Sequence, residues 1–522
     1  MSLVSIDPVL ATTIVVAVMV FLLIRRPKRA YALPPGPRKL PIIGNLLDMP
    51  RSFEWEQYSA WAKEFDTDII HLEVVGQHII VLNSYEACID LLDKRSKLYS
   101  SRPPFAMTVG VVGIGFNVFT MSYGDKWRLR RRLMHGALHP AAAARLRPIV
   151  SSTTHTFLRG VLGAGRDDLE AELRHMAGRL ILGVAYGIEV PNKDDPRIVD
   201  AEALLKVLTQ TSVQGAYLVN SIPALKHVPE WVPGAGFQAL GRQWRGKAQD
   251  IVDRPFNEVK ERMLDGGPSK PCFTMNALEK GIDDVAIRDA AATMYNGGTD
   301  TTVITLLNFT LAMLDNPELQ RRAQLELDAV LGPLQTPDGK PGKLPTFSEQ
   351  AQLPFISALV RESSRYKPVL PGAIPHAHSG SEPDIYNGYV IPAGSIVIPN
   401  TWAMMHDESV YPDPDSFKPE RFLTADGKLD PNMRDPANMA FGFGRRACVG
   451  RYLADSSLWL MIAVILRVYN IEKAKDADGT VIEPHREWLS SLLMYPKHFK
   501  CAFVPRSAAA EAMIRETETM EY

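Results

Sequence analysis

The chain has 522 residues, 46% of them hydrophobic and 22% charged, and its 58 Lys and Arg residues nearly balance 59 Asp and Glu residues. This is the composition of an ordinary globular protein, and its charge gives no indication of nucleic-acid binding. The 4 cysteines are far apart and form no CxxC pair, which argues against a zinc site or a disulfide framework. This cysteine usage fits a reducing compartment, and because the sequence shows no internal repeat, we expect one large domain.

The N-terminus, residues 1–30, is predicted to be a membrane anchor with a basic flank. The stretch "VLATTIVVAVMVFLLI" at 9–24 carries no charge, and basic residues follow at 25–29. With the apolar residues before it, this stretch is about long enough to cross a bilayer as a helix, and the basic flank would hold the remainder in the cytosol. A cleaved signal peptide is the alternative, since Ala30-Tyr31-Ala32 is similar to a cleavage site, but no Lys or Arg precedes the apolar run.

The next segment, residues 31–45, contains "LPPGPRKLPIIGN" and is predicted to be a stiff hinge, because proline fixes φ and removes amide donors. A solvated proline-rich spacer is the alternative. We place the globular domain at 46–506 and interpret the last residues, "SAAAEAMIRETETMEY" at 507–522, as a polar tail.

Hydrophobic periodicity predicts a mainly α domain with a small β part. A β-hairpin is expected in "DIIHLEVVGQHIIVLNS", and shorter strands in "GYVIPAGSIVIPN" and "KCAFVPR". The predicted helices cover 84–93, 125–135, 141–162, 167–186, 195–210, 241–264, 284–316, 317–331 and 347–366.

The stretch "FGFGRRACVG" surrounds the lone Cys448 with glycines and arginines. An apolar helical pattern follows, so the sulfur would lie at a helix N-terminus, where backbone N–H groups and nearby Arg favour the thiolate. The glycines would let the chain turn tightly beneath a flat cofactor. From the residues alone, a buried structural cysteine beside a glycine-rich turn is the alternative.

The spacing of Phe441, Gly444, Arg446, Cys448 and Gly450 matches the signature FxxGxRxCxG. On this signature the chain resembles the cytochrome P450 family of heme-thiolate monooxygenases, and the resemblance covers nearly the whole chain. It implies the fold of that family, preceded here by the transmembrane helix, and heme b as cofactor. It also implies Cys448 as the axial ligand of the heme iron, Arg446 as the partner of a heme propionate and Phe441 as the shield of the sulfur.

The motif "ESSR" places Glu362 and Arg365 one turn apart on a helix face, where the two side chains could pair. Such pairs also occur on many solvated helices. By resemblance they match the ExxR pair of the family, which Arg421 of "KPERFL" completes. The three side chains are expected to form a structural network behind the heme.

Two further motifs match propionate contacts of the family. In "WRLRR", Trp127 and Arg131 lie four residues apart and match its WxxxR pattern, although a basic helix face alone would indicate solvent or an acidic partner. In "RYKPVLPGAIPHAH", His376 occupies the position where an Arg or His holds a propionate. Taken alone, this histidine would be an ordinary surface or core residue.

The stretch "MYNGGTDTTVITLLNFTLAML" places Gly297 and Gly298 inside a helical pattern, where each costs about 1 kcal/mol relative to Ala. From the pattern alone, a new helix could begin at Thr299 or Asp300. The segment resembles the family's [AG]GxDTT motif, in which one long helix opens a groove for dioxygen. The resemblance implies that Asp300 and Thr301 relay protons, because oxygen activation requires them where bulk water is excluded.

By resemblance, three segments line the substrate pocket: "PPFAMTVGVVGIGFNVF", "VLPGAIP" and "SSLLMYP". They are nearly free of charge, which favours a lipophilic substrate such as a terpenoid or polyketide, with plain core packing as the alternative. The segment "IPALKHVPEWVPGAGF" carries Trp231 and is expected to rest on the bilayer as an amphipathic loop, or else to be a buried loop. This segment and the hinge are similar to those of fungal secondary-metabolism members of the family.

The resemblance implies a monooxygenase that uses dioxygen and electrons from an NADPH–cytochrome P450 reductase, anchored by a single span in the endoplasmic reticulum membrane with its catalytic domain in the cytosol. A heme isomerase or dehydratase, which needs neither dioxygen nor reductase, is the alternative within the same fold. A heme-binding carrier or sensor without turnover is the third hypothesis. Isomerases and dehydratases of this fold often lose the acid–threonine pair, which is intact here.

Overall fold

The computed structural model describes residues 31–163, 169–213, 216–266 and 270–521, and most of its ordered elements are helices. The α-helices of the described part are α1 (Glu54–Glu64), α2 (Tyr85–Cys88), α3 (Ser96–Tyr99), α4 (Asp125–Leu138), α5 (Pro140–Arg145), α6 (Arg147–Gly163), α7 (Leu169–Tyr186), α8 (Pro196–Ser212), α9 (Leu218–Ser221), α10 (Phe237–Leu264), α11 (Phe273–Leu278), α12 (Asp284–Asp315), α13 (Pro317–Leu331), α14 (Pro354–Tyr366), α15 (Thr401–Met405), α16 (Ala437–Ala440), α17 (Arg451–Val468) and α18 (Ala508–Glu516). Two π-helical segments, Ile89–Lys94 and Ala106–Val112, and short 3-10 turns connect some of them.

In the described ranges, the strands form one sheet of four strands and three small ribbons. They are β1 (Ile69–Val74), β2 (Gln77–Leu82), β3 (His376–Ala377), β4 (Asp384–Tyr386), β5 (Tyr389–Ile391), β6 (Ile396–Pro399), β7 (Tyr469–Lys473), β8 (Trp488–Leu489), β9 (Tyr495–Pro496) and β10 (Cys501–Pro505). In the large sheet the order is β1-β2-β6-β3, with β1 and β2 as the predicted antiparallel hairpin and β2 parallel to β6. Tyr58 and Trp61 of α1 pack against one face of this sheet.

Helix α12 is the central element of the helical body. It has 32 residues, or about 48 Å at 1.5 Å per residue, and is buried on nearly all sides within the largest core cluster. The Asp283 carboxylate caps its first turn by accepting from Ala286 N at 2.8 Å. The helix continues through Gly297 and Gly298, so the interpretation that a new helix begins at Thr299 or Asp300 is wrong.

Two contacts fix α12 against the helices that flank the site. The Arg130 guanidinium of α4 donates to the Asp289 carboxylate at 2.9 and 2.6 Å, and both side chains are buried. Farther along α12, Gly298 contacts Ile181 of α7. The two helices are so close there that a residue larger than glycine would clash with Ile181. These contacts set the position of the segment 297–302 relative to α4 and α7.

The proline-rich segment is attached to the body rather than free. The Pro35 carbonyl accepts from His71 N at 2.8 Å, and Asn45 N donates to the Glu73 carbonyl at 2.6 Å, so the segment runs along β1. A Cβ at Gly36 would lie 2.2 Å from the His71 carbonyl oxygen, which explains the glycine between prolines. The alternative of a solvated spacer does not hold for the part from Pro35 onward.

Two other expectations need correction. The helix predicted at 347–366 is divided into a 3-10 turn, Phe347–Gln352, and α14, because Pro354 removes an amide donor and can only begin a helix. The polar tail at 507–522 is wrong in its first part, since α18 buries Met513 and Ile514 in the main core against α6 and α17. Its apolar residues recur at helical spacing, which the composition of the segment concealed.

Within the described ranges, no helix has both the length and the apolar character required to cross a bilayer. The predicted anchor at 1–30 lies outside the described residues. Trp231 does lie within them, between α9 and α10, and 82% of it is exposed, so the interpretation of its segment as a buried loop does not hold.

Candidate active site

Cys448 is presented by a tight turn between α16 and α17. Its backbone N–H donates to the Phe441 carbonyl at 2.6 Å, while Gly442 (φ 73°) and Gly444 (φ 54°) adopt left-handed conformations that favour glycine. A Cβ at Gly444 would lie 2.2 Å from the carbonyl oxygen of Leu92, so only glycine lets the turn pack against the π-helical segment that contains Leu92. The glycines therefore fix where the sulfur points.

The thiol of Cys448 lies at the N-terminus of α17. Burial raises its pKa, whereas hydrogen bonds from the amides of Gly450 and Arg451 and the positive charge of Arg131 act in the opposite direction. The other three cysteines are buried, but the Cys448 side chain is exposed although protein surrounds it. The sulfur therefore faces an open space inside the fold.

Helix α12 also borders an open space, at a groove formed by Gly297. Gly297 is exposed in the middle of this buried helix, and a Cβ placed on it would meet no atom within 4 Å. A Cβ on Gly298 would instead lie 2.9 Å from Ile181, so this glycine is required for packing. Half-buried Thr301 donates its hydroxyl hydrogen to the Gly297 carbonyl at 2.9 Å, a local bond that competes with the helical ladder.

Asp300 is buried next to Thr301 and is paired with an arginine. Its Oδ1 lies 3.1 Å from Nη1 of Arg174 on α7. Burial raises the pKa of the Asp300 carboxyl, and the Arg174 charge lowers it in part. The side chain is thus a carboxyl group whose proton affinity is higher than usual, held beside the groove.

Hydrogen bonds connect the cysteine turn to this groove. Arg446 donates to the Val118 carbonyl at 3.2 Å, and the Val118 amide in turn donates to the Thr293 hydroxyl at 3.1 Å. Thr293 lies one turn before Gly297 on α12. The turn that presents Cys448 and the groove at Gly297 therefore lie on two sides of the same region.

Arg446 is a buried cation whose hydrogen bonds all go to backbone carbonyls in the described part of the chain. The acceptors are Ser100 at 2.6 Å, Val118 at 3.2 Å and Met121 at 2.8 Å. The indole of Trp127, also buried, lies under the guanidinium at 4.3 Å. Burial, together with the charge of Arg131, lowers the pKa of Arg446 to about 9.

Arg102 is a second buried guanidinium in the same environment. It donates to the carbonyl of Phe119 at 2.9 Å and to the carbonyls of Ile374 and Pro375 at 2.7 and 2.8 Å. Burial lowers its pKa well below the ordinary value, and the charge of Arg446 adds to this effect. This residue was not singled out in the sequence.

His376 and Arg131 lie beside these two arginines. His376 on β3 is buried, with Nδ1 2.7 Å from the Tyr99 carbonyl oxygen, and its pKa is lowered by burial and by the charges of Arg102 and Arg446. The pKa of Arg131 on α4 is lowered by burial, with the cysteine thiol raising it. Trp127, Arg131, His376 and Arg446, predicted from separate motifs, are thus brought together.

The residues of this group fit heme. Among the residues described, neither Arg102, Arg131 nor Arg446 forms an ion pair, and buried cations without counter-charge are costly. Two carboxylates, such as the propionates of heme, would supply the missing negative charge. The thiol donor of Cys448 in the adjoining space is a soft ligand suited to iron.

The Glu362 network is present as a hydrogen-bonded cluster. Arg365 donates to both Glu362 oxygens, at 2.7 and 2.8 Å, and both side chains are fully buried. Arg421 reaches the same carboxylate at 3.4 Å, and the Lys418 amide donates to it at 2.7 Å. This cluster ties α14 to the segment that precedes the cysteine turn, with no contact to Cys448 itself.

Two residues of the site were missed in the sequence, Arg102 and Arg174. Arg102 carried a signal, because it stands at the head of a stretch without charge that lasts until Asp125. A single charge at the edge of an apolar segment indicates a specific partner. Arg174 lies in ordinary amphipathic surroundings, and Tyr495 lies in a segment predicted only to line the pocket, so the packing of the chain alone brings both residues to Asp300.

We predict that Arg102→Gln weakens heme retention roughly tenfold, because a hydrogen bond to a charged group contributes about 1.5–3 kcal/mol. The measurement is the rate of heme transfer from the purified protein to an excess of apo-globin. Arg95→Gln is the control, since Arg95 already has the Asp384 carboxylate at 2.8 Å as its partner. Equal transfer rates for the two variants would show that Arg102 does not contribute to the anionic site.

Comparison with known proteins identifies the family of the chain. The family model described as Cytochrome P450 matches residues 34–503. The chain is 43% identical over 510 residues to "Cytochrome P450 monooxygenase 98" of Postia placenta, which covers 96% of each chain. It is 40% identical over 495 residues to "Cytochrome P450 monooxygenase ple1" of Rhodocybe pseudopiperita, covering 94% of this chain and 92% of the relative.

A third relative is named for its substrate. The chain is 35% identical over 508 residues to "Tryptamine 4-monooxygenase" of Psilocybe cyanescens, covering 96% of this chain and 98% of the relative. The family match spans most of the chain, and the relatives are covered nearly from end to end. The chain therefore belongs to the cytochrome P450 family of monooxygenases, whose cofactor is heme b with a cysteine thiolate as the axial ligand.

Proposed function

We propose that this chain inserts one oxygen atom from dioxygen into a lipophilic small molecule, with electrons from an NADPH–cytochrome P450 reductase, and that Cys448 is its heme ligand. The observation that carries the proposal is the buried acid Asp300 beside Thr301, at the groove of an unbroken α12. An isomerase or carrier would have no use for this pair.

Heme, when bound, supplies the iron at which dioxygen is reduced. The task of the chain is then to deliver protons into the groove while keeping bulk water out. Burial raises the pKa of Asp300, so its carboxyl can take up a proton more readily than an exposed aspartate. The Thr301 hydroxyl can accept that proton as it donates its own to an acceptor in the groove, because a hydroxyl is both donor and acceptor.

The substrate class follows from an apolar cluster. The three segments interpreted as pocket walls meet there with α12, through Met107, Val112, Leu370, Leu493 and Ile304. No Asp or Glu occurs in these three segments, so a cationic amine such as tryptamine would find no counter-charge in them. A neutral lipophilic substrate, such as a terpenoid or polyketide of fungal secondary metabolism, suits these walls.

The electron donor is expected to dock on the side of α4 and the cysteine turn. Lys126, Arg128 and Arg132 of α4 and Arg445 of the turn are exposed, while Trp127 and Arg130 of the same helix are buried. An exposed basic face beside Cys448, the proposed heme ligand, suits the acidic surface of a reductase. The second function, a heme isomerase, would need no such partner.

The assay of the proposal combines membranes containing the chain and the reductase with NADPH and an extract of the source organism. A product that gains one oxygen atom, and gains a heavy one under isotopically labelled dioxygen, supports the monooxygenase. A rearranged product of unchanged mass without NADPH would instead support the isomerase, and no product would support a carrier.

Within this assay, Thr301→Ala should lower productive turnover on the order of a hundredfold, because a positioned proton relay contributes about that much. NADPH consumption should continue, with its electrons lost as hydrogen peroxide, so the ratio of product to NADPH falls. Thr310→Ala is the matched control, since its hydroxyl also bonds within α12, to the Leu306 carbonyl at 2.8 Å, but lies beyond the groove. An unchanged ratio in Thr301→Ala would remove the relay from the account.

We also propose that residues 1–30 anchor the protein in the endoplasmic reticulum membrane by a single span, with the catalytic domain in the cytosol. The proposal rests on the uncharged run at 9–24, its basic flank and the exposed Trp231. Alkaline carbonate should leave the full chain in the membrane and release a variant that begins at Tyr31. Extraction of the full chain by carbonate would contradict a transmembrane anchor.

A further inference from the structure

Arg174 on α7 joins Asp300 to side chains from three other parts of the chain. Its Nη1 lies 3.1 Å from Asp300 Oδ1 and 3.3 Å from Oε1 of Glu202 on α8. Its Nη2 lies 2.9 Å from Oε1 of Glu170 and donates to the Tyr495 hydroxyl at 2.8 Å. The guanidinium uses its planar fork to hold all four groups, a role that a single ammonium group could not fill.

This network leads from the surface to the groove. The side chain of Asp300 is 12% exposed and that of Arg174 18%, whereas Glu170 and Glu202 are half-buried. His498 Nδ1 lies 3.8 Å from the Glu170 carboxylate and is exposed. Arg174, Glu170 and His498 thus connect Asp300 to the protein surface.

Tyr495 belongs to two environments at once. Its ring packs against the apolar cluster assigned to the substrate, next to Leu493. Its hydroxyl bonds Arg174 and also donates to the Glu170 carboxylate at 3.1 Å. The neighbouring amide of Met494 donates to the Val369 carbonyl at 3.0 Å, which joins two of the pocket segments. A change at the substrate cluster therefore reaches Arg174 through one side chain.

We propose that Arg174, held by Tyr495, positions Asp300 for proton delivery, and that Tyr495 makes this position responsive to the substrate. Arg174 itself cannot pass a proton, because its guanidinium stays charged. A proton from the Glu202 and Glu170 side reaches the Asp300 carboxylate and is then given to Thr301 Oγ1, as the Thr301 hydroxyl gives its own proton to an acceptor in the groove. Asp300 returns to the carboxylate and pairs with Arg174 again. The electrons come from the reductase, so this inference rests on the proposed function.

The test compares variants in the reductase assay with the compound found to gain oxygen. Tyr495→Phe keeps the ring in the apolar cluster and removes only the hydroxyl, and it should lower the ratio of product to NADPH roughly tenfold. Arg174→Gln should lower the ratio more strongly, and Arg174→Lys should restore part of it because the charge returns without the fork. Tyr386→Phe is the matched control, since it also loses one hydrogen bond to a carboxylate, that of Asp90 at 3.0 Å.

Two measurements separate positioning from a merely structural role. Heme content should stay unchanged in Tyr495→Phe, and the solvent deuterium isotope effect on product formation should increase, because proton delivery becomes slower. If Arg174→Gln fails to fold, Tyr495→Phe decides alone. A wild-type ratio and isotope effect in Tyr495→Phe, while Thr301→Ala is uncoupled, would overturn this inference and leave the proposed function standing. If Thr301→Ala is coupled as well, the relay of the proposed function fails.

Discussion

The bonds of the buried Arg446 guanidinium are the constraint on which the site depends. They join the cysteine turn to the carbonyls of Ser100, Val118 and Met121, and Val118 carries the connection on to Thr293 of α12. Buried cations require either dense carbonyl contacts or an anion. Arg446 has dense carbonyl contacts, and together with Arg102 it also offers positive charge to an anion. Its hydrogen bonds therefore hold the segments around the site together, and its charge suits an acidic cofactor.

The cysteine turn and helix α12 have different roles in the site. The cysteine turn uses glycines to place a sulfur atom, and its positions are set by contact with the backbone at Leu92. Helix α12 uses Gly297 to leave space and Gly298 to approach α7. The turn glycines, Gly442 and Gly444, take left-handed conformations that other residues adopt only with strain, whereas Gly297 and Gly298 each cost conformational stability inside α12. The cost is offset by the large core in which α12 is buried.

The parts of the site that could be predicted from the sequence were the motifs with a fixed residue spacing. The long helix, the β-hairpin and the pairing of Glu362 with Arg365 follow from periodicity and short-range geometry, and the family is confirmed. Contacts between distant segments were not accessible in this way: Arg102 and Arg174 meet their partners only after folding. The polar tail was misjudged because the polar and charged residues of the segment concealed its apolar spacing, and a helix as short as α18 depends on the core against which Met513 and Ile514 pack. Pro354 is the opposite case: the periodic pattern predicted one helix, and this single residue divides it into two elements.

The spectrum of the reduced carbon monoxide complex shows whether Cys448 binds heme iron as a thiolate. We expect a Soret band shifted to the red in the wild-type protein, as thiolate ligation requires. The shift should disappear in Cys448→Ala and remain in Cys501→Ala, which removes a buried cysteine of β10. A red-shifted band in Cys448→Ala, or the absence of the red shift in the wild-type holoprotein, would show that Cys448 is not the thiolate ligand of the heme iron.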